Sequence, residues 1–246
     1  MAGSNGKPTI VLVHGAFADA SSWNGVVERM QQQGYDVVAP AVPLRGIASD
    51  SAYLASVVHQ IEGPVLLVGH SYGGAVISNA GTDTKNAVGL VFVAAFAPDK
   101  DERLGDVAAG SIDSVLMNAL VQKQYPIGSE GETAVEFVID PAQFRAAFAA
   151  DLPEAQTALM AATQRPVAAA AFSDPSGPPA WGSLPSWAVV ATGDKAAGAD
   201  LVKSMAQRAG AEIVEVEASH VVMISQPQAV TDVVLRAAQA CMTSRE

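Results

Sequence analysis

The sequence predicts an α/β fold: a mostly parallel sheet of six or more strands, helices on both of its faces, and a helical insertion in the middle of the chain. Two observations lead there. At both ends of the chain, near-continuous apolar runs of strand length alternate with amphipathic helical stretches, the pattern of a parallel sheet covered on both faces. Between them, from residue 97 to about 184, that rhythm stops. Connections in α/β units ordinarily take two to six residues, so so long an interval reads as an inserted cap.

Residues 9–13 (TIVLV) are the first strand. Residues 22–33 carry Trp23, Val26, Val27 and Met30 at helical spacing, and Gly34 stops that helix. Residues 36–39 are a second strand, 50–61 a helix and 64–68 a third strand; the run after Ser71 (YGGAVISNAG) is helical despite its glycines, and 89–94 is a fourth strand. The rhythm resumes with a strand at 187–191, a helix at 200–209, a strand at 212–216 and a closing helix at 227–240. The interval between is Ala-rich, with helical patterns at 112–121, 142–150 and 154–163, and it returns through the Pro/Gly-rich linker 173–184. Residues 1–97 and 185–246 therefore form the core and 98–184 the cap, carried at the C-terminal edge of the sheet.

Composition narrows the function. A net charge of −11 disfavours nucleic acid and anionic membrane surfaces, which attract clustered Lys and Arg. The single cysteine, Cys241, allows no intrachain disulfide. No apolar run reaches membrane-spanning length, and residues 1–7 lack the apolar stretch of a signal peptide, so a cytoplasmic protein is expected. Neither a Gly-rich nucleotide fingerprint nor a Cys/His cluster with metal spacing is present; no cofactor or metal is called for.

Chemistry concentrates in four places. Gly69-His70-Ser71-Tyr72-Gly73 matches G-x-S-x-G. The pattern is weak alone, but it lies directly after the strand 64–68 and before a helix, where a nucleophile elbow belongs. A serine hydroxyl needs a base to take its proton, and the base needs a partner that holds one tautomer. Of the four histidines, His220 follows the strand 212–216 through a short loop and emerges at the same edge as Ser71. His59 falls in a helix, His70 is locked beside the nucleophile, and His14 braces a loop. The acid is expected after a strand in the order Ser…Asp…His, which favours Asp194. Asp99 is the serious rival, with Asp101, Asp200 and Glu217 behind it; Asp200 reads better as a helix first-turn residue. Oxyanion donors are expected at the amides of Tyr72 and Ala16, with Phe17 as the alternative to Ala16. Phe17, Leu116, Leu120, Phe144 and Trp181 are candidates to line an acyl or aryl pocket, although such cap residues, Phe148 and Met160 among them, also serve as the cap's own core.

VLVHGAFADASSW (11–23), VGHSYGG (68–74), ATGDK (191–195) and SHVVMISQP (219–227) resemble the α/β-hydrolase superfamily. Within it they are most similar to the plant methylesterase and hydroxynitrile lyase branch and to small bacterial esterases. The resemblance implies the α/β-hydrolase fold and a cofactor-free serine esterase with a cap over the pocket, in agreement with the roles of Ser71, Asp194, His220, Ala16 and Tyr72. Hydroxynitrile lyases of this branch carry lysine after the catalytic histidine and threonine after the first-strand histidine; here those positions are Val221 and Gly15, which favours ester hydrolysis over cyanohydrin cleavage. The segment KAAGAD after Asp194 lacks the apolar-Pro pair common there, which predicts a looser acid loop. The expected function is cleavage of a small apolar or aryl carboxylic ester through an acyl-enzyme, with the small-molecule ester as partner and a homodimer left open. The rival readings are a ligand receptor with little turnover, and a lyase or cofactor-free oxygenase on the same scaffold.

Overall fold

The computed structural model describes residues 6–128 and 131–243. The expectation drawn from the N-terminal stretch lies partly outside them, at residues 1–5. The chain begins with β1 (Thr9–Val13), α1 (Asn24–Gln32), β2 (Val37–Val38), α2 (Ile47–Val58), β3 (Val65–His70), α3 (Tyr72–Asp83) and β4 (Ala87–Val93). The insertion follows: α4 (Leu104–Ala108), α5 (Leu116–Ala119), β5 (Leu120–Pro126), β6 (Thr133–Ile139), α6 (Pro141–Phe148), α7 (Glu154–Thr163), β7 (Val167–Ala168) and α8 (Ala170–Ser173). The chain closes with β8 (Ser186–Ala191), α9 (Ala199–Arg208), β9 (Glu212–Val216), α10 (Val222–Ser225) and α11 (Pro227–Thr243).

Six strands pair in parallel in the order β2-β1-β3-β4-β8-β9. The central strands are apolar throughout because helices cover both faces: Ile10–Val13 and Val65–Val68 have no exposed surface. Register places the strand ends at one rim, with Val13 opposite Gly69, His70 opposite Val93, and Ala191 opposite Val216. The loops that follow these strands therefore meet at the C-terminal edge, where open α/β sheets hold their ligands.

Helix α11 shows how the pattern becomes packing. Pro227 opens it, and Val230, Val233, Val234, Ala237, Ala238 and Cys241 form one buried stripe at helical spacing against the sheet. Each buried valine contributes roughly 1.5–3 kcal/mol by leaving water. The first turn of α3 lies closer to the sheet: a Cβ on Gly73 would sit 2.5 Å from the carbonyl oxygen of Val13. Helix α1 ends as expected at Gly34, whose φ is +73°.

The insertion differs in part from its expected helical character. Helices α6 and α7 form at 141–148 and 154–163, but the helical pattern at 112–121 yields only the single turn α5. Leu120–Pro126 instead pairs antiparallel with Thr133–Ile139, and β7 joins as a third strand. The β-branched and aromatic run TAVEFVI provides a partner whose cross-strand pairing overrides the local helical spacing. The insertion reaches the rim of the main sheet at separate points: Ala168 donates its amide to the Leu44 carbonyl (2.9 Å), and Val115 donates to the Lys195 carbonyl (2.8 Å).

Candidate active site

Ser71 occupies the turn between β3 and α3 with φ 52° and ψ −122°. A non-glycine residue in that conformation costs on the order of 1–3 kcal/mol and persists only where its surroundings enforce it. They do so by closeness. A Cβ on Gly69 would lie 2.5 Å from the Gly73 carbonyl oxygen, and one on Gly15 would lie 2.7 Å from the Ser71 Cβ. The Ser71 amide donates to the Val93 carbonyl (3.3 Å), and its own carbonyl accepts from Gly74 (2.9 Å) and Phe96 (3.2 Å).

His220 Nδ1 lies 2.8 Å from Asp194 Oδ2, and both side chains are buried. The other carboxylate oxygen, Oδ1, accepts the amides of Ala196 (2.8 Å) and Ala197 (3.0 Å). The looser acid loop expected from KAAGAD is therefore not found: the small residues let the chain fold back and give the carboxylate two backbone donors. Asp99 and Glu217 are exposed. Asp200, in the first turn of α9, accepts the Ser111 hydroxyl (2.5 Å) and the Ile112 amide (3.0 Å).

His70 packs beside His220 from the Ser71 side. Its Nε2 lies 3.0 Å from the His220 carbonyl oxygen, and the two rings pack with centroids 4.6 Å apart. Complete burial, then the nearby His220, pushes its pKa well below the ordinary imidazole value, so it is neutral and Nε2 carries the donated proton. Its Nδ1 is buried with no partner among the described residues. His14 accepts the Val42 amide at Nε2 (3.0 Å), so Nδ1 donates to the Gly15 carbonyl (2.9 Å); it braces the loop after β1. Burial likewise lowers its pKa.

That loop presents Ala16 and Phe17, both buried, and among the described residues no group accepts a hydrogen bond from either amide. In a buried loop, an amide left without a protein acceptor is available to a water or to a ligand oxygen. The Tyr72 amide is the first of α3, where no intrahelical acceptor exists. The Tyr72 hydroxyl donates to Asp50 Oδ2 at 2.7 Å. Burial, then the Asp50 charge, pushes the phenol pKa far upward, and burial also raises Asp50 despite the bonds it accepts.

Of the five pocket candidates, Phe17 and Phe144 both pack on Phe148, with centroids at 6.2 and 5.2 Å, and Phe148 packs on His220 at 5.1 Å. Leu116 is buried and Leu120 half-buried within the insertion. Trp181 donates its indole N–H to the Pro98 carbonyl (3.3 Å) in a turn packed against α3. A pocket of about 310 Å³ lies between residues 17–25, α7 and α10; of the five candidates it shares only Phe17.

Sequence reading missed the Asp50–Tyr72 bond, the support of the His220 carbonyl by His70, and Phe148 as the aromatic neighbour of His220. It also missed Asp151, whose carboxylate accepts both the amide and the hydroxyl of Ser219. Only Asp50 left a signal: it falls on the buried stripe of α2 with Ile47, Leu54 and Val58.

The profile of the alpha/beta hydrolase family matches residues 10–233. The chain belongs to that family. Among solved structures, this alpha/beta hydrolase is similar to polyneuridine aldehyde esterase, with a TM-score of 0.79 at 23% identity over 94% of this chain and 99% of that one. It is similar to the pyrethroid hydrolase PytH, with a TM-score of 0.76 at 20% identity over 95% and 98%. The methylesterase MES16 from Arabidopsis gives 0.76 at 18% identity over 94% and 99%. These neighbours include the plant methylesterase branch, and at such identities the likeness establishes the fold. No curated protein sequence matches the chain. Among the described residues, no helix of this hydrolase is long and apolar enough to cross a membrane.

Proposed function

We propose that this alpha/beta hydrolase cleaves small apolar or aryl carboxylic esters through a covalent acyl-enzyme on Ser71. The observation that carries this reading is the buried His220–Asp194 pair, 2.8 Å apart, at the sheet rim where Ser71 is held in a left-handed turn. With Nδ1–H donated to Asp194, His220 leaves Nε2 as the base that takes the Ser71 proton as the hydroxyl attacks the carbonyl. The tetrahedral oxyanion is received by the amides of Ala16 and Tyr72. Collapse expels the alcohol, which takes its proton from His220, and a water activated by the same base releases the acid.

The aromatic group of Phe17, Phe144 and Phe148 beside His220 supports an apolar or aryl substrate. The reading calls for no cofactor and for no partner beyond the ester. Several structural neighbours carry the words esterase or hydrolase in their names, which fits this choice. Labelling by a fluorophosphonate together with turnover of a short aryl ester, both lost in Ser71→Ala, is the expected result. Turnover that persists in Ser71→Ala overturns it.

A further inference from the structure

Asp151 lies in the turn between α6 and α7, outside the proposed triad. Its carboxylate nevertheless takes both donors of Ser219: Oδ2 accepts the amide at 2.9 Å, and Oδ1 accepts the hydroxyl. Ser219 is buried and directly precedes His220. Three residues before Asp151, Phe148 packs its ring against the His220 imidazole. The turn is itself braced, since Leu152 donates its amide to the Ala149 carbonyl (3.1 Å) and Arg145 Nε donates to the Leu152 carbonyl (3.2 Å). One short stretch of the insertion, residues 148–151, thus holds both the ring of His220 and the residue before it.

A single hydrogen bond from Nδ1 to Asp194 leaves an imidazole free to pivot about that bond. Two further restraints act on the backbone from which the ring projects. His70 holds the His220 carbonyl, and Asp151 holds the preceding residue by two bonds. Elsewhere the insertion meets the core through backbone amides or a hydroxyl, at Ala168–Leu44, Val115–Lys195 and Ser114–Ala196, and through the carboxylates of Glu136 on Arg45, Asp113 on the Asp200 amide and Glu102 on Arg208. At Ser219 a carboxylate with both oxygens engaged bonds the residue that directly precedes His220.

We infer that Asp151 is a positioning residue for the His220 base, acting from the cap through Ser219. The inference rests on the reading of His220 as the base. A displacement of the imidazole by an ångström costs about a hundredfold in rate, so restraint of its backbone is felt in turnover.

The experiment compares the full-length protein with Asp151→Ala, Asp151→Asn, Ser219→Ala, Ser219→Thr and the double Asp151→Ala/Ser219→Ala. Three quantities are read: the rate of fluorophosphonate labelling of Ser71, kcat and KM on a short aryl ester, and the thermal midpoint. Labelling reports an activated serine whether or not the chosen ester is a good substrate. In Asp151→Ala the labelling rate and kcat are expected to fall together by about 10- to 100-fold, with KM changed less than twofold. Ser219→Ala, which keeps the amide donor, loses less; Ser219→Thr, which keeps the hydroxyl, retains the rate; the double variant is no slower than Asp151→Ala. Wild-type labelling and kcat in Asp151→Ala with a lowered thermal midpoint overturn the inference, because the clamp is then only a seam between cap and core. A loss carried by KM alone overturns it too. If Asp151→Ala does not fold, Asp151→Asn and Ser219→Ala decide by the same readouts. Failure of the unsubstituted protein to label at all removes the base reading itself, a result distinct from either.

Discussion

His70 and His220 are joined by a hydrogen bond from the ring Nε2 of the first to the backbone carbonyl of the second, 3.0 Å long, with their rings in contact. The residue preceding the proposed nucleophile therefore holds the backbone of the proposed base. Burial, then the nearby His220, holds the His70 pKa well below the ordinary imidazole value, which favours the neutral ring with its proton on Nε2. Replacing it by His70→Phe keeps an aromatic ring in place and removes the donor. The His220 carbonyl is then buried without a partner, a cost of about 1–3 kcal/mol. Denaturant unfolding is expected to show that loss together with a reduced kcat. Unchanged stability shows that water or a shifted group satisfies the carbonyl.

Asp194→Asn tests the acid. The two amides that bind Oδ1 keep the side chain in place, so the fold survives, but an amide toward Nδ1 favours the wrong imidazole tautomer. Turnover is expected to fall by about 10⁴. Asp99→Asn, at an exposed position, is expected to be nearly silent in the same assay. The reverse pattern transfers the role of the acid to Asp99.

Asp50 supplies a pH test that does not depend on turnover. Burial raises its folded-state pKa, and the bonds from the Tyr72 hydroxyl and from the backbone amides of residues 44–46 only partly oppose that. A carboxyl whose folded pKa is raised binds its proton more tightly in the native than in the unfolded state. Its contribution is thus fully present below the unfolded value of about 4 and is lost as pH rises through the folded value. Asp50→Asn cannot ionise and still offers an acceptor to Tyr72. Urea midpoints of the two proteins, followed upward from pH 4, are expected to diverge in favour of Asp50→Asn and then level off. A difference that moves the other way shows that the ionised carboxylate is net stabilising.

Most of the fold was legible because it depends on local period and punctuation. The apolar runs around Val11, Leu67, Val91 and Val189 could be little other than buried parallel strands, and Gly34 ended α1 where glycine commonly ends a helix. That Ser71, Asp194 and His220 share one rim was legible because each follows a strand directly or through a short loop, and register brings those strand ends together. The strand at 120–126 was not legible, since its stability comes from a partner at 133–139 that local spacing does not reveal. Nor were the contacts of Phe148 and Asp151 with the His220 loop, which join residues 72 and 68 positions apart in the chain. Packing of the insertion against the rim creates those contacts, and no periodicity in either segment encodes it.

Gly15→Ala tests whether the loop after β1 is held against the nucleophile. The added Cβ would stand 2.7 Å from the Ser71 Cβ, 2.8 Å from His70 Nδ1 and 3.0 Å from the His70 carbonyl oxygen. None of these atoms is the end of a flexible side chain. Ser71 sits in a left-handed turn, and His70 is wedged between Trp23 and His220. The loop must therefore retreat and carry the amides of Ala16 and Phe17 away from the proposed position of the oxyanion. Displacement by about an ångström reduces turnover on the order of a hundredfold, with labelling by a fluorophosphonate slowed in step. Gly182→Ala is the control: its Cβ would meet nothing within 4 Å, and neither readout is expected to change. Should Gly15→Ala turn over esters at the unsubstituted rate while remaining folded, the loop is not the source of an oxyanion donor, and the assignment of Ala16 falls with it.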